Sequence, residues 1–291
     1  MTRRTLLAAA GGAAVAWGSN WSDRLGIMCQ LTDTEASSRK VLTAAAEAGF
    51  QKIQVNFPWT KVDARYLAAL PAWIRAEGLR CEVLSAYVNC AHPEIVLMLT
   101  RREDFARALD YAEEVGARRL VAWTGGHVAD LMKADDRNFT AGARDAIVRF
   151  LEPHLPKLAS ARLTLALETY ITLVCPDAVS LRQLLDRLPP SVGGVLDPPN
   201  LTPVLQYAKR DAVLRDMVRT LQDRIAVVHM KDFRLRADGT GYDLPGPMMG
   251  EMNYTLFAEL LRSLPAEIPL IAEHLEPAQF GNARRKLIAL G

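Results

Sequence analysis

Four cysteines and five histidines are spread over 291 residues, a thin supply for thiolate or multi-histidine chemistry. Cys29, Cys81, Cys90 and Cys175 form no Cys-x-x-Cys pair, which argues against a thiolate zinc site. Cys29 and Cys81 fall in apolar runs of strand type, where cysteine behaves as a small buried apolar residue. An excess of one charge is also missing. With 35 basic and 33 acidic side chains the formal net charge is +2, and such a surface offers no extended field for nucleic acid. No low-complexity linker or short internal repeat divides the chain. Half the residues are apolar and 23% are charged, an ordinary globular mixture with material for a large core.

The first residues stand apart from that composition. Arg3-Arg4 is followed by Thr5-Leu6-Leu7, by the apolar stretch Ala8 to Ala16, and by a small-x-small end at Ala14-Val15-Ala16. The stretch is shorter than the ~20 residues that span a bilayer, and the pattern looks like a twin-arginine export signal. Cleavage after Ala16 removes two arginines and no acids, leaving 35 − 2 = 33 basic against 33 acidic side chains. The expected organisation is an export signal at 1–16 and one domain at 17–291, in a periplasmic protein without stable membrane insertion after cleavage.

What the sequence does contain is alternation. Strand-type runs lie at Leu25 to Cys29, Lys52 to Phe57, Arg80 to Tyr87, Arg119 to Trp123, Leu163 to Thr169, Gly193 to Asp197, Ile225 to Met230 and Pro269 to Glu273. Helical periodicity fills the gaps at Thr34 to Ala48, Asp63 to Glu77, Arg102 to Val115, Ala141 to Leu158, Ala178 to Leu188, Ala212 to Leu221, Tyr254 to Leu264 and Pro277 to Leu290. Strict strand and helix alternation predicts a parallel sheet, and eight repeats predict closure into a single (β/α)8 barrel.

Four ionisable residues close short apolar stretches in four of these runs: Glu168 after Leu163 to Leu167, Asp197 after Gly193 to Leu196, His229 after Ile225 to Val228 and Glu273 after Pro269 to Ala272. Their spacings of 29, 32 and 44 residues (197 − 168, 229 − 197, 273 − 229) fit successive strands, one strand plus one helix taking about 30 residues. In such a barrel catalytic groups stand at the C-terminal strand ends. Alternation puts Thr164, Ala166 and Glu168 on one face and Leu163, Leu165 and Leu167 on the other, so Glu168 points into the mouth and the leucines toward the helices. By the same parity His229 and Lys231 lie together, while His274 takes the face opposite Glu273. Three carboxylates and one imidazole suit one divalent ion in open coordination, Mn2+ first, with Mg2+, Co2+ and Zn2+ as alternatives. The ion polarises a carbonyl, and a pair of carboxylates then moves the α proton.

Leu165-Ala-Leu-Glu168, Val195-Leu-Asp197-Pro-Pro-Asn200, Val228-His229-Met-Lys231-Asp232 and Ile271-Ala-Glu273 resemble the strand ends of the xylose isomerase-like barrel superfamily, the sugar phosphate isomerase/epimerase group. The likeness extends to Ala48-Gly-Phe50, to Ser85-Ala-Tyr87-Val-Asn89 and to Gly250-Glu-Met-Asn253-Tyr254. It implies that Glu168, Asp197, His229 and Glu273 bind the metal, with Glu168 and Glu273 also the acid/base pair. Two departures stand out. The epimerase branch usually has a histidine where this chain has Asn200, which cannot titrate near neutrality. The loop before the seventh helix usually carries two glycines, and Met248 replaces the first.

The remaining substrate-binding candidates follow from position. Asn200 is expected to orient a substrate oxygen, and Lys231 to offset enolate charge. Arg234 and His127 lie on loops over the mouth, the latter after Gly125-Gly126. Trp123 and Tyr87 are placed to stack on a sugar face, and Asn56 and Asn89 to contact hydroxyls. The expected function is a metal-dependent sugar isomerase or epimerase acting on a small-molecule ketose or keto-sugar through a metal-bound enediolate. Alternatives are a keto-sugar or 3-keto-glycoside lyase or dehydratase using the same site, and a non-catalytic exported sugar-binding protein in which the four residues pair with Lys231 or Arg234. An endonuclease of the same barrel type would demand more strand-end histidines than His229 alone.

Overall fold

A computed structural model describes residues 21–291; the twin-arginine pattern at 1–16 lies outside the described residues. Eight parallel strands close on themselves: β1 (Leu25–Gln30), β2 (Lys52–Asn56), β3 (Arg80–Asn89), β4 (Arg119–Trp123), β5 (Thr164–Glu168), β6 (Val192–Leu196), β7 (Ile225–Met230) and β8 (Leu270–Ala272). Each strand pairs with the next, and β8 returns to β1 through Leu25, Gly26 and Ile27 opposite Leu270, Ile271 and Ala272. Gly26 permits that closure, because a Cβ there would stand 2.8 Å from Ile271 Cδ1 and 3.0 Å from the Lys52 carbonyl oxygen. The strands agree with the sequence reading to within two residues at each end, so the expected barrel is the observed one.

Eight principal helices cover the outside: α1 (Glu35–Glu47), α2 (Ala64–Ala76), α3 (Asp104–Val115), α4 (Ala141–Leu151), α5 (Ala178–Leu185), α6 (Arg210–Leu221), α7 (Tyr254–Arg262) and α8 (Phe280–Ile288). Local chemistry sets their starts. Asp63 accepts from the Tyr66 N–H, Thr140 from the Ala143 N–H, and Asp177 and Ser180 form a reciprocal capping box. Pro71 sits inside α2, where its missing N–H frees the Leu67 carbonyl; the Tyr111 hydroxyl from α3 donates to that oxygen at 2.8 Å. The helix expected over Ala141 to Leu158 is instead broken after Leu151 into the 3-10 turn Glu152–His154 and the short helix Leu155–Ser160. Pro153 and Pro156 withdraw two N–H donors from what the apolar spacing alone reads as one helix.

The two faces of each strand separate as alternation predicts. Val83, Val121, Ala166, Val195, Val227 and Ile271 pack together inside the barrel. Leu163, Leu165, Leu167, Val228 and Met230 join the large core between sheet and helices. These interior side chains are small or branched and fill the barrel; at its N-terminal end Arg119 donates to the Ala226 carbonyl and pairs with Glu82, and at its C-terminal end stand the strand-end acids and His229. All four cysteines are free and buried, and burial pushes the Cys175 thiol up to about 12. No described helix is long and apolar enough to cross a membrane.

Candidate metal centre and its cavity

Strand parity and strand length deliver Glu168 at the end of β5, Asp197 just past β6, His229 within β7 and Glu273 just past β8 to one place. Their donor atoms all lie within 4.8 Å of one another, and all four residues are buried. His229 Nδ1 is 3.4 Å from Glu168 Oε2, 3.5 Å from Glu273 Oε2 and 3.7 Å from Asp197 Oδ2. These separations are too long for hydrogen bonds. They lie at, or up to about 0.3 Å beyond, the edges of a coordination shell, which for ligands ~2.1 Å from an ion are roughly 3.0–3.4 Å.

The other atoms of the four residues are already engaged. His229 Nε2 meets Gln54 Oε1 at 3.0 Å, and Gln54 in turn donates to Ser85 Oγ at 3.0 Å and Tyr87 Oη at 3.3 Å. Because Gln54 Oε1 can only accept, the Nε2 position carries a proton, and the neutral imidazole presents its Nδ1 lone pair to the carboxylates. Asn200 Nδ2 donates to Glu168 Oε1 at 3.0 Å. Lys231 Nζ donates to Asp197 Oδ2 at 2.5 Å and to Glu273 Oε1 at 2.6 Å. Two atoms remain buried without any partner, Glu168 Oε2 and His229 Nδ1. Orphan lone pairs that converge in a dry site are what a divalent cation satisfies, so the residues present fit such an ion.

Charge gives the same result. Three carboxylates and the Lys231 ammonium sum to −3 + 1 = −2, which one divalent ion brings to zero. Burial opposes a charged imidazole, yet the Glu273 and Glu168 carboxylates outweigh it and raise His229 to about 10. Burial also opposes ionisation of Glu273, but His229 and Lys231 hold its carboxyl down at about 2. Tyr87 is kept a neutral phenol by burial and then by the nearby Glu168 and Glu273 charges.

A raised histidine means that metal and proton compete for Nδ1. In the chelated protein the His229 charge contributes stability fully below its ordinary value of 6.5, and that contribution is lost as pH rises through about 10. Metal uptake between those limits is expected to release close to one proton per ion, and apparent affinity to climb by roughly tenfold per pH unit. Calorimetric titration of Mn2+ in two buffers of different ionisation heat measures the release; identical heats in both would show that His229 is not a ligand.

Above the cluster opens a cavity of about 400 Å3, whose floor is Glu168, Asn200, Lys231 and Glu273. Asp197 and His229 are packed beneath them at 1% and 0% exposure. Tyr87, Trp123 and Asn56 line the walls. Three of the residues singled out from sequence are placed elsewhere. Asn89 spends its side chain on the backbone of Ala91, His92 and Gly126, organising the loops after β3 and β4. His127 hydrogen-bonds Asn138 and packs edge-on against His92. Arg234 is exposed, donating to the Met249 carbonyl and 3.8 Å from Glu251.

Other residues of the site escaped sequence reasoning. Gln54 shares the inward parity of Asn56, a signal visible in Lys52-Ile-Gln-Val-Asn56. His274 lines the cavity mouth although strand alternation puts it on the opposite face from Glu273. Its φ of +57° ends the strand and turns the chain, so alternation no longer applies. Met28, Met98, Met132, Leu131, Leu244 and Tyr170 have no recognisable motif.

The loop before α7 is tied down by Asp232, whose carboxylate accepts from the backbone N–H groups of Phe233, Gly250 and Met252 at 2.8, 2.8 and 2.9 Å. Met248, standing where the sequence resemblance leads one to expect a glycine, adopts φ +58°, so the left-handed turn forms without a glycine. Gly250 has no such latitude. A Cβ there would sit 2.5 Å from Asp232 Oδ1 and 2.6 Å from the Phe233 carbonyl oxygen. Gly250→Ala is therefore expected to cost about 1–3 kcal/mol in chemical denaturation, whereas an unchanged midpoint would show that the loop simply shifts.

An eight-stranded parallel barrel carrying a buried acid and histidine cluster at the C-terminal strand ends defines a class, the (β/α)8 proteins with a strand-end site that fits a divalent metal. The chain belongs to the xylose isomerase-like TIM barrel family, whose model matches residues 42–289. No curated protein sequence matches it. Among solved structures it is similar to a D-tagatose 3-epimerase-like protein (TM-score 0.68, 15% identity, covering 92% of this chain and 96% of that one). It is also similar to the 3-keto-D-glucoside 4-epimerase from E. coli (0.64, 15%, 92% and 99%). A third is a xylose isomerase-like TIM barrel protein from Mycobacterium smegmatis in complex with magnesium (0.63, 15%, 89% and 89%). At these identities the likeness is one of fold.

Proposed function

We propose that the protein is a metal-dependent sugar isomerase or epimerase acting on a ketose or keto-sugar. The observation that carries this reading is the way Glu168 and Glu273 divide their oxygens. Each offers one to the donor cluster and has the other fixed, by Asn200 and Lys231 respectively, while both form the cavity floor. Two positioned carboxylates at one carbonyl-binding site are the equipment for removing and returning a proton. Glu168, Asp197, His229 and Glu273 would hold a divalent ion, with Mn2+ the first choice, and that ion would supply Lewis-acid polarisation of the substrate carbonyl. Glu273, held ionised beside Lys231, accepts the proton α to that carbonyl, and Glu168 exchanges the proton on return. Lys231 offsets the negative charge that grows on the enediolate oxygen, and the neutral Tyr87 phenol and Asn200 amide orient hydroxyls without titrating. The names of the structural neighbours, sugar 3- and 4-epimerases among them, support the same substrate class.

A non-catalytic binding protein accounts for less. Lys231 does pair with two of the four residues, but Arg234 is exposed and bonded to the Met249 carbonyl, and Glu168 Oε2 and His229 Nδ1 would stay buried without a hydrogen-bond partner. The decisive experiment incubates keto-sugars in D2O with the Mn2+-loaded protein. Deuterium at the α carbon with mass conserved supports isomerisation, and loss of water or of an aglycone supports the lyase alternative. Complete absence of exchange across the panel, in protein shown to hold metal, would overturn both.

Export is part of the same proposal. Arg3-Arg4 and the apolar stretch after it direct the folded protein to the periplasm. Arg3→Lys with Arg4→Lys is expected to leave the protein in the cytoplasmic fraction, and unchanged fractionation would end that reading.

A further inference from the structure

The cavity above the donor cluster has two unlike sides. Gln30, Asn56 and Glu276 stand on the sector formed by β8, β1 and β2, with Met28 the apolar member there. Met98, Trp123, Leu131 and Met132 stand on the sector of β3, β4 and the loops that follow them. Leu244 and Leu275 continue the apolar surface across the outer rim.

Trp123 is buried, but the two methionines of this surface stand outside the core. Met98 is 44% exposed and Met132 51% exposed. Apolar groups concentrated and open to solvent at a cavity mouth mark a ligand surface rather than a packing necessity. Trp123 stacks on Tyr87 with centroids 5.0 Å apart and planes 28° apart, and its indole N–H is turned toward Met98 Sδ at 3.3 Å. The indole's donor is thus spent inside the wall. Met98 and Leu99 both take left-handed backbone conformations, with φ of +46° and +57°. Non-glycine residues adopt that conformation at a cost, and this strained turn is the segment that brings Met98 to the cavity.

A free ketose carries a hydroxyl on nearly every carbon, and any hydroxyl pressed against this wall would lose its water without gaining a partner. A ligand that is polar at one end and apolar at the other satisfies both sides. Methionine sulfur and a flat indole favour an aromatic occupant, through sulfur–ring and offset-stacking contacts, and methionine adapts to rings of differing outline. The depth of the cavity, with its floor at the donor cluster, suits a small molecule better than the face of another protein.

We propose that the substrate is a keto-glycoside with an aromatic aglycone, its sugar ring on the floor of Glu168, Asn200, Lys231 and Glu273 and its aglycone against Met98, Trp123, Leu131 and Met132. The assignment rests on the keto-sugar reading of the same site and adds the class of substituent the sugar bears. Phenyl and methyl 3-keto-β-D-glucopyranoside, which differ only in the aglycone, test it when titrated calorimetrically into the Mn2+-loaded full chain, with deuterium uptake at C2 followed in parallel.

The phenyl glycoside is expected to bind at least roughly tenfold more tightly than the methyl. The double variant Met98→Ser, Met132→Ser, at two exposed positions whose change does not threaten folding, is expected to erase that preference while leaving the methyl glycoside within about twofold of its original affinity. Equal affinities in the parent protein, or an equal loss for both glycosides in the double variant, would overturn the aglycone subsite. Exchange of D-fructose with no binding of either keto-glycoside would remove this inference and leave the isomerase reading standing. Failure of every keto-sugar, free or glycosidic, to bind or exchange would remove both.

Discussion

Glu168→Gln and Glu273→Gln are each expected to lower solvent exchange into a keto-sugar by roughly 10^2–10^4, the range a positioned acid or base contributes. Both substitutions keep the shape of the side chain and one carbonyl oxygen as a metal donor, so bound Mn2+ should fall much less than turnover. The two should also differ from one another. In Glu168→Gln the Asn200 amide, 3.0 Å from Oε1, loses a charged acceptor but the pairing of Lys231 is untouched. In Glu273→Gln the Lys231 ammonium keeps only Asp197, and the carboxylate that His229 and Lys231 hold at about 2 is gone. The acid limb of stability that Glu273 contributes, present above its ordinary value of 4.5 and lost as pH falls through about 2, should therefore vanish in this variant and persist in Glu168→Gln. Retention of parental exchange by either glutamine variant, with metal bound, would show that its carboxylate moves no proton.

Lys231→Met should give the largest stability effect of any change in the site, and one that metal reverses. In the chelated variant the Asp197 and Glu273 carboxylates lose their shared ammonium, at 2.5 and 2.6 Å, in a place where all three groups are at most 4% exposed. Removing one partner of a buried ion pair leaves uncompensated charge and costs about 3–5 kcal/mol. A melting point lower by on the order of 10 °C follows. With Mn2+ bound the ion supplies the missing positive charge, and the difference from the parent should shrink to a fraction of that. Scanning calorimetry of parent and variant, chelated and Mn2+-loaded, gives the four numbers needed. An equal drop in both states would mean that Lys231 acts by packing and not by charge.

Much of this was legible before any coordinates, for particular reasons. The eight strands were visible because each carries branched or apolar residues at both parities between well-marked helices, as in Ile225 to Met230. Glu168 could be aimed into the mouth because a strand's period of two is rigid, and its neighbours Leu165 and Leu167 had nowhere to go but the helical layer. The same reasoning failed two residues past a strand. His274 turns with a positive φ, and the left-handed pair Met98 and Leu99 follows no strand or helix period. Arg234, His127 and Asn89 were plausible by position, but side chains in loops or at the last residue of a strand go to whichever partners the folded loops offer: the Met249 carbonyl, Asn138, and the backbone around Gly126.

Gln54 shows where the boundary falls. Its inward parity was readable beside Asn56, but its partner, His229, lies 175 residues away, and only closure of the barrel brings them to 3.0 Å. The sequence by itself determined the alternation, the inward faces and the four donors at strand ends, since these depend on local periodicity and on spacing along the chain. Tertiary structure decided which lone pairs remain free, that one ammonium bridges two of the carboxylates, and that one wall of the cavity is apolar. Those outcomes depend on contacts between distant loops, where no period constrains the chain.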